Sequence, residues 1–234
     1  MFDPSFARQA LARCVLFEGV DPEAMDACLA CLRVRRYRRD ETVFHQGDPG
    51  DALHVIASGS VKVVLPSPDT GEPAILGALR EGDFFGELAL LDGEPHSATV
   101  ITMEPTETLV LSRGDFERLF ESESGLRRAL VASLARELRQ LTGHVEALHF
   151  LDLRGRLVVR IASAAGLNGD RPAPRGEVRV PWPYTQAEVA GMVGGSRESV
   201  NRLFAELVGR GLVRLERDAL VLPDPAGLLA EARA

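Results

Sequence analysis

Three charged side chains near the carboxyl end of the chain have the types and spacing needed to recognise nucleic-acid bases. Arg197, Glu198 and Arg202 lie in the segment GGSRESVNRLF, on one outer face of a predicted helix. An arginine can donate to both N7 and O6 of guanine, and a glutamate can accept from N4 of cytosine. This pattern predicts sequence-specific contacts in the major groove of double-stranded DNA.

Cap and turn residues around these side chains predict a helix-turn-helix. Thr185 followed by Glu188 is a capping-box pattern, which satisfies free N–H groups at the start of a first helix. Gly194 and Gly195 permit a tight turn, because glycine accepts positive φ without steric cost. Ser196 is a favourable N-cap for the second helix. We therefore expect two short helices on either side of a glycine turn.

A β-hairpin is predicted directly after the second helix. The segment LVRLERDALVLPD is typical of two strands around an Arg217–Asp218 turn, as in the wing of a winged helix. The alternative is an ordinary surface helix in which Glu198 and Arg202 pair at i,i+4 spacing. The helix-turn-helix-wing order favours DNA binding over that alternative. We expect Thr185, Gln186 and Ser196 to contact phosphates. The full set of expected DNA-binding residues is Thr185, Gln186, Ser196, Arg197, Glu198, Ser199, Asn201 and Arg202.

The composition is typical of a soluble globular protein without a membrane span or disulfide framework. The 234 residues, 45% of them hydrophobic, suggest one large domain or two ordinary ones. An apolar run of about 18 residues, which a membrane helix needs, does not occur. The first residues lack the basic-then-apolar order of a signal peptide, so we expect a cytoplasmic protein. Three cysteines, an odd number, argue against a disulfide framework.

The net charge of −7 is unevenly divided along the chain. Residues 151–234 hold 12 basic and 10 acidic side chains, whereas residues 1–150 hold 15 and 24. The acidic part should avoid phosphates, and the slightly basic part is suited to face them.

The sequence shows no nucleophile–base set, metal-ligand cluster or P-loop, so we expect no catalytic residues, no metal site and no enzymatic activity.

Many short strands are predicted between Arg36 and about Arg113. Apolar runs such as LHVIA, VKVVL, AILGAL, ATVITM and TLVLS are separated by turn clusters such as QGDPGD, PSPDTGE, REGD and DGEP. This alternation is typical of a β-barrel or jelly roll. Residues 22–35 are expected to be helical, as is the proline-free stretch from Arg113 to Phe150.

The predicted long helix carries a narrow apolar seam. Its members recur at spacings of 3 and 4, the a/d pattern of a heptad repeat: Val131, Leu134, Leu138, Leu141, Val145 and Leu148. Such a seam predicts a parallel homodimer, which suits a helix-turn-helix protein that binds two half-sites about one DNA turn apart. The alternative is a helix that packs on its own β-domain.

These segments in their order resemble the CRP/FNR regulators, over nearly the whole chain. The resemblance lies in QGDPGDALHVIASGSVKV, GDFFGELALLDGEPHSATV, LHFLDLRGRLV and SRESVNR. It implies an α+β fold: a cyclic-nucleotide-binding-type β-roll with flanking helices (residues 1–113), a dimerisation helix (114–150) and a winged helix-turn-helix (151–234). SRESVNR is similar to the subtype that reads a TGTGA-like half-site with an Arg, a Glu and a second Arg. Asn201 is bulkier than the glycine usual there and leaves the half-site sequence open.

The same resemblance implies an effector pocket. Gly86 and Glu87 match residues that close around phosphate and ribose, and His96 stands where cyclic-AMP-binding members carry an arginine. Arginine offers phosphate a permanently charged, bidentate fork, whereas histidine is half charged only near pH ~6.5. The implied pocket residues, six in the β-roll and two on the long helix, are Gly86, Glu87, Leu88, His96, Ser97, Ala98, Leu141 and Thr142.

Three alternatives remain open for this pocket. It is vestigial, it binds a different small molecule, or it binds a cyclic nucleotide weakly. The sequence therefore assigns no certain cofactor. Cyclic AMP is a candidate, but His96 in place of the phosphate-binding arginine argues against it. A rival from another class, the regulatory nucleotide-binding module of an enzyme or channel, is disfavoured by the helix-turn-helix.

Two further expectations come from the resemblance. FNR-type members hold an iron–sulfur cluster on four cysteines, but this chain has only Cys14, Cys28 and Cys31. Cys28 and Cys31 lie on a predicted helix, and we expect them to be buried core thiols. The resemblance also implies that the DNA-bound dimer acts as an activator that recruits RNA polymerase, through the loop Leu167–Glu177.

Overall fold

A computed structural model describes residues 4–66, 73–167, 174, 176–217 and 219–231 of the chain. The contacts divide it into two units, Met1–Leu138 and Arg139–Ala234. The first unit contains the helices α1 (Pro4–Arg13), α2 (Pro22–Cys31), α3 (Glu87–Asp92) and α4 (Arg113–Ser122), and the strands β1 (Arg33–Tyr37), β2 (Thr42–Phe44), β3 (Ala52–Ser58), β4 (Ser60–Leu65), β5 (Ala74–Arg80), β6 (Phe84–Phe85), β7 (Thr99–Thr102) and β8 (Thr106–Ser112). The helix α5 (Ser124–Phe150) begins in the first unit and ends in the second.

The eight strands form two antiparallel sheets, in the orders β1-β8-β3-β6 and β2-β7-β4-β5. The central strand β3 is buried along its whole middle, which explains the continuous apolar run LHVIA. Helices α1, α2 and α4 cover the first sheet, and their apolar side chains share one core with it. The predicted β-roll and the α+β fold class are confirmed. Four of the five predicted apolar runs lie within a strand, and the fifth, ATVITM, extends one residue beyond β7 at each end. The turn segment 67–72 lies outside the described residues.

The structure corrects two helix boundaries. The helix expected over residues 22–35 ends at Cys31, and Arg33 already pairs with Val110 of β8. The helix expected from Arg113 to Phe150 is two helices, because Glu123 leaves the helical region with φ −97° and ψ 101°. The first difference arises from long-range strand pairing, which local periodicity does not report.

The second unit is built from short elements around a small sheet. They are α6 (Leu153–Ala164), β9 (Val178–Pro181), α7 (Gln186–Val193), α8 (Arg197–Gly209), β10 (Arg214–Leu215), β11 (Ala219–Leu222) and α9 (Pro225–Glu231). The sheet has the order β10-β11-β9, so the predicted wing hairpin is confirmed and gains a third strand. Asp218 of the wing turn lies outside the described residues. In the described part of the chain, none of the helices is long and apolar enough to cross a bilayer.

Candidate nucleic-acid interface and effector pocket

Reciprocal hydrogen bonds fix the start of α7. The Glu188 N–H donates to Oγ1 of Thr185 at 3.2 Å, and the Thr185 N–H donates to Oε2 of Glu188 at 2.8 Å. The capping box is therefore confirmed, and it satisfies donors that a bare helix start would leave free. This fixes the position at which α7 begins.

The two glycines of the turn have different roles. Gly194 adopts φ +64°, the left-handed conformation that ends α7, as predicted. Gly195 is not in that region of φ. A Cβ at Gly195 would lie 2.5 Å from Cδ1 of Leu153, so this glycine provides room for α6 rather than a special φ. The prediction of positive φ was thus wrong for Gly195, because the need for glycine there comes from a tertiary contact.

The recognition helix α8 begins at its predicted N-cap and buries one apolar face. The Ser199 N–H donates to Oγ of Ser196 at 3.2 Å. Val200, Phe204 and Leu207 are buried against the rest of the second unit. The opposite face is consequently directed to solvent.

The predicted base-reading residues share that outer face of α8. Arg197, Glu198, Asn201 and Arg202 are all exposed. Glu198 and Arg202 do not form the i,i+4 ion pair of the alternative interpretation, and within the described ranges neither Arg197 nor Arg202 has a carboxylate partner. Two uncompensated guanidinium groups on one exposed helix face are suited to an anionic, hydrogen-bonding surface such as DNA.

The remaining expected DNA-binding residues are less uniform. Thr185 and Ser196 are exposed, whereas Gln186 and Ser199 are half-buried. Oε1 of Gln186 is buried and has no hydrogen-bond partner among the described residues. A phosphate contact by Gln186 would therefore use its amide nitrogen or its backbone N–H, which are its donors.

Arg156 of α6 is a structural residue of the site that the sequence did not indicate. Its Nε donates to the carbonyl of Val193 at 2.7 Å, and its Nη2 donates to the carbonyl of Gly194 at 3.4 Å. Its Nη1 donates to the carbonyl of Leu151 at 3.0 Å. These bonds tie the end of α7 and the glycine turn to α6. The available signal was an arginine in the middle of an amphipathic helix, which is more often simply exposed.

An ion-pair network joins α6, α8 and α9. Arg154 bonds Glu206 of α8 and lies 3.4 Å from Oε2 of Glu231 in α9. Arg210, which follows α8, forms a bidentate pair with the same Glu231. The carboxyl end of the recognition helix is thus bound to its neighbours by charged hydrogen bonds, which are the stronger kind.

In the first unit, His96 belongs to a cluster of four rings. It stacks on Phe44, with ring centroids 3.5 Å apart and an interplanar angle of 4°. His54 stacks on Phe85 at 4.9 Å, and Phe44 contacts Phe85 at 5.8 Å. Sequence reasoning missed Phe44, His54 and Phe85, because only the pairing of the strands brings them together.

Two glycines adjoin the edge of the His96 ring. A Cβ at Gly50 would lie 3.0 Å from Cε1 and 3.2 Å from Nε2 of His96, and only 2.3 Å from Cβ of Ala89. Gly86, at φ +89°, would place a Cβ 3.8 Å from Cε1 of His96 and 2.7 Å from the Ala52 carbonyl oxygen. The structure therefore brings Gly86 and His96 together, and a side chain at either glycine would disturb this packing.

Burial shifts the pKa values of three groups in this region. It raises the pKa of Glu87 to about 7, with a further contribution from Glu137. It lowers the pKa of His54 to about 4, and Arg35 adds to this effect. Burial also lowers the pKa of His96, against the opposing influence of nearby carboxylates. All three groups are thus biased towards their uncharged forms.

The remaining predicted pocket residues differ in exposure. Leu88 and Ser97 are exposed, and Ala98 is buried. Leu141 and Thr142 lie on the part of α5 that belongs to the second unit.

The predicted heptad seam of α5 is largely exposed to solvent. Val131 and Leu138 expose 64% and 66% of their surface, and Leu141, Val145 and Leu148 are exposed as well. Leu134 differs from these, since it packs partly against the core of the first unit. An exposed apolar stripe of this length is typical of a surface that is covered by a partner.

The prediction of buried core thiols is confirmed for Cys28 and wrong for Cys31. Cys14 and Cys28 are buried, and burial raises the pKa of each thiol to about 12. Cys31 is exposed, so the prediction of a buried core thiol was wrong there, because α2 ends at this residue. Among the described residues, no group of three or more His, Cys, Asp or Glu side chains is placed to hold a metal ion.

Two known domain families match the chain. Residues 34–123 match the cyclic nucleotide-binding domain, and residues 150–231 match the Crp-like helix-turn-helix domain. The chain is 33% identical to the CRP-like cAMP-activated global transcriptional regulator of Mycobacterium tuberculosis, over 96% of this chain and 99% of that protein. It is 34% identical to the cyclic AMP receptor protein of Thermus thermophilus, over 86% and 88% of the two chains.

Solved structures show the same architecture. FixK2 from Bradyrhizobium japonicum superposes with a TM-score of 0.73 at 21% identity, over 86% of this chain and 96% of that one, which shows a shared fold. The catabolite activator protein of Thermus thermophilus superposes with a TM-score of 0.53 at 32% identity, over 93% and 97% of the two chains.

Proposed function

Because this chain belongs to the CRP/FNR family of transcription regulators, we propose that it binds a near-palindromic, TGTGA-like DNA site as a homodimer. The chain is a transcription regulator with a DNA-binding helix-turn-helix, and not an enzyme. Its DNA site, its oligomeric state and its effector are the parts that we propose.

The outer face of α8 carries the proposal for the DNA site. Arg197 and Arg202 flank Glu198 on exposed surface, without a carboxylate partner in the described ranges. Ser196 caps the start of α8, and the Arg154–Glu206 bond holds the helix near its carboxyl end. Rigidly held donors and acceptors of this kind can discriminate between base pairs. Arg197 and Arg202 therefore donate to guanines, and Glu198 accepts from cytosine.

The exposed seam of α5 supports the homodimer. Pairing two copies along Val131, Leu138, Leu141, Val145 and Leu148 would remove these apolar side chains from water. A two-fold dimer would also explain why a palindromic site is read, because each α8 would meet one half-site.

The dimer acts in the cytoplasm as an activator and recruits RNA polymerase. The loop Leu167–Glu177, to which we assign that contact, lies mostly outside the described residues.

We further propose that DNA binding does not require cyclic AMP at neutral pH. His96 stands at the position of the phosphate-binding arginine and is stacked on Phe44, with its pKa lowered by burial. An uncharged imidazole is a poor partner for a phosphate anion. The second candidate is a regulator that responds to a cyclic nucleotide at neutral pH, and the match of residues 34–123 to the cyclic nucleotide-binding domain favours it.

One binding experiment tests these proposals together. Fluorescence anisotropy would measure the affinity of the full chain for a duplex with two TGTGA half-sites and for a scrambled duplex, with and without cyclic AMP at pH 7.5. We expect preferential binding to the palindrome that is unchanged by the nucleotide. Equal affinity for both duplexes would refute the site, and an increase with cyclic AMP would favour the second candidate.

A further inference from the structure

We propose that His96 couples the binding of a phosphodiester anion to the uptake of one proton, so that the first unit responds to a cyclic nucleotide only as the pH falls. The inference rests on the proposed function in one respect: it takes the segment from Gly86 to Ala98 as the effector region. It adds a condition for binding that a phosphate-binding arginine would not impose.

The position of the imidazole is the first argument. One face of the His96 ring covers Phe44 at 3.5 Å, and its Cε1–Nε2 edge adjoins Gly50 and Gly86. Its backbone is held on both sides, since the His96 N–H donates to the Asp48 carbonyl and the Gly47 N–H donates to the His96 carbonyl, each at 2.9 Å. The residue is half-buried, so part of its surface remains accessible to solvent.

The charge of the ring is the second argument. A neutral imidazole has one N–H donor, whereas the imidazolium has two and carries a positive charge that attracts phosphate. Burial favours the neutral form of His96, and the carboxylates of Asp48 and Asp51 favour the charged form without outweighing burial. The stack on Phe44 suits either form, because an aromatic face also accepts a cation. Protonation therefore changes the affinity for an anion while the ring stays in place.

The neighbouring cation does not replace the missing arginine. Arg113 at the start of α4 donates from Nη2 to the carbonyls of Gly50 at 2.7 Å and Ala89 at 2.9 Å. Its guanidinium is therefore already engaged by two backbone carbonyls. His96 therefore remains the group whose protonation would respond to a bound phosphate.

Two other titratable groups in the region would give the nucleotide affinity a different pH dependence. His54 has a pKa of about 4, so it stays neutral over the relevant range. Glu87 has a pKa of about 7, and it accepts a ribose hydroxyl best as a carboxylate. Coupling through Glu87 would release a proton, and affinity would then rise with pH. The sign of the proton linkage thus separates His96 from Glu87.

The experiment is calorimetric titration of the full-length protein with cyclic AMP between pH 5.5 and 7.5. Each pH is repeated in buffers of different ionisation enthalpy, which reports protons taken up per nucleotide. We expect the affinity to increase up to about tenfold per pH unit as the pH falls, because one proton is linked to binding. The uptake should approach about one proton per bound nucleotide.

Three variants assign the proton. His96→Gln should remove both the pH dependence and the proton uptake, and His96→Arg should bind without pH dependence and more tightly than wild type at pH 7.5. Glu87→Gln should retain the uptake. The proposal is overturned if wild type binds equally at all pH values, releases protons, or does not bind at pH 5.5, or if uptake persists in His96→Gln.

Operator binding of each nucleotide-free variant, measured on the same preparations, serves as the control for folding. It also separates this inference from the proposed function. Intact operator binding without proton-linked nucleotide binding refutes the role of His96 alone, and loss of operator preference in wild type refutes the proposed DNA site instead.

Discussion

Nε of Arg156 donates to the carbonyl oxygen of Val193 at 2.7 Å, which joins α6 to the last residue of α7. The last carbonyls of a helix lack intrahelical partners, so this arginine satisfies a group that would otherwise need water. The same guanidinium reaches Gly194 at the turn. A side chain outside the DNA-binding motif therefore holds the end of α7 and the start of the turn.

Replacement of Arg156 by alanine should destabilise the second unit. A hydrogen bond to a charged group contributes about 2 kcal/mol, and the freed carbonyl of Val193 would be left partly buried. We expect the free energy of unfolding, measured by urea denaturation, to fall by at least about 2 kcal/mol. Arg139→Ala, at an exposed arginine of the same unit, is the matched control. Equal stability of the two variants would show that the bonds of Arg156 contribute little.

Removal of Arg197 should weaken binding in a sequence-dependent way. We expect Arg197→Ala to cost about 1–3 kcal/mol on the preferred duplex and to relax the preference at one base pair per half-site. Competition with duplexes substituted at single positions measures both effects. Arg38→Ala, an exposed arginine of the first unit, should bind like wild type. A uniform loss on every duplex would assign Arg197 to phosphate contact instead.

A charge in the seam of α5 should separate the proposed dimer. Burial of a leucine side chain contributes about 2 kcal/mol, and an unpaired glutamate in its place adds a further cost. Leu138→Glu should therefore elute as a monomer in size-exclusion chromatography with light scattering, with weaker operator binding. Leu76→Glu, at a leucine of β5 that is 38% exposed, should leave the oligomeric state unchanged. A dimeric Leu138→Glu protein would place the interface elsewhere.

The buried carboxyl of Glu87 should make the first unit less stable at alkaline pH. Its pKa rises from 4.5 to about 7 on folding, mainly because of burial. The protonated form is favoured in the folded state, so its contribution is complete below pH ~4.5 and is lost as the pH rises through about 7. A shift of this size corresponds to at most about 3 kcal/mol.

Glu87→Gln tests that pH dependence by urea denaturation at pH 5 and pH 8. Glutamine resembles the protonated carboxyl but cannot ionise, so the variant should gain stability over wild type at pH 8 and little at pH 5. Glu94→Gln, at an exposed glutamate two residues after α3, should show no such difference. If Glu87→Gln changed stability equally at both pH values, ionisation of this group would not be responsible.

Local signals in the sequence predicted the elements of the DNA-binding motif well. The capping box of Thr185 and the N-cap of Ser196 depend on residues only three positions away, so sequence spacing decides their geometry. The strands were predicted where apolar runs meet turn residues. Prediction was wrong at the end of α2 and at Gly195, because strand pairing and contact with α6 decide these positions. It also missed the break in the helix at Glu123.

The sequence by itself determined the order of the parts: a β-roll, a helical segment with an apolar seam, and a winged helix-turn-helix with Arg197, Glu198 and Arg202 on its outer face. These features depend on periodicity and on caps, which act over a few residues. Only the tertiary structure decided that Arg156 anchors the turn and that His96 stacks on Phe44 beside Gly50. The reason is that the latter contacts join residues 37 and 52 positions apart, whose meeting depends on how whole helices and strands pack.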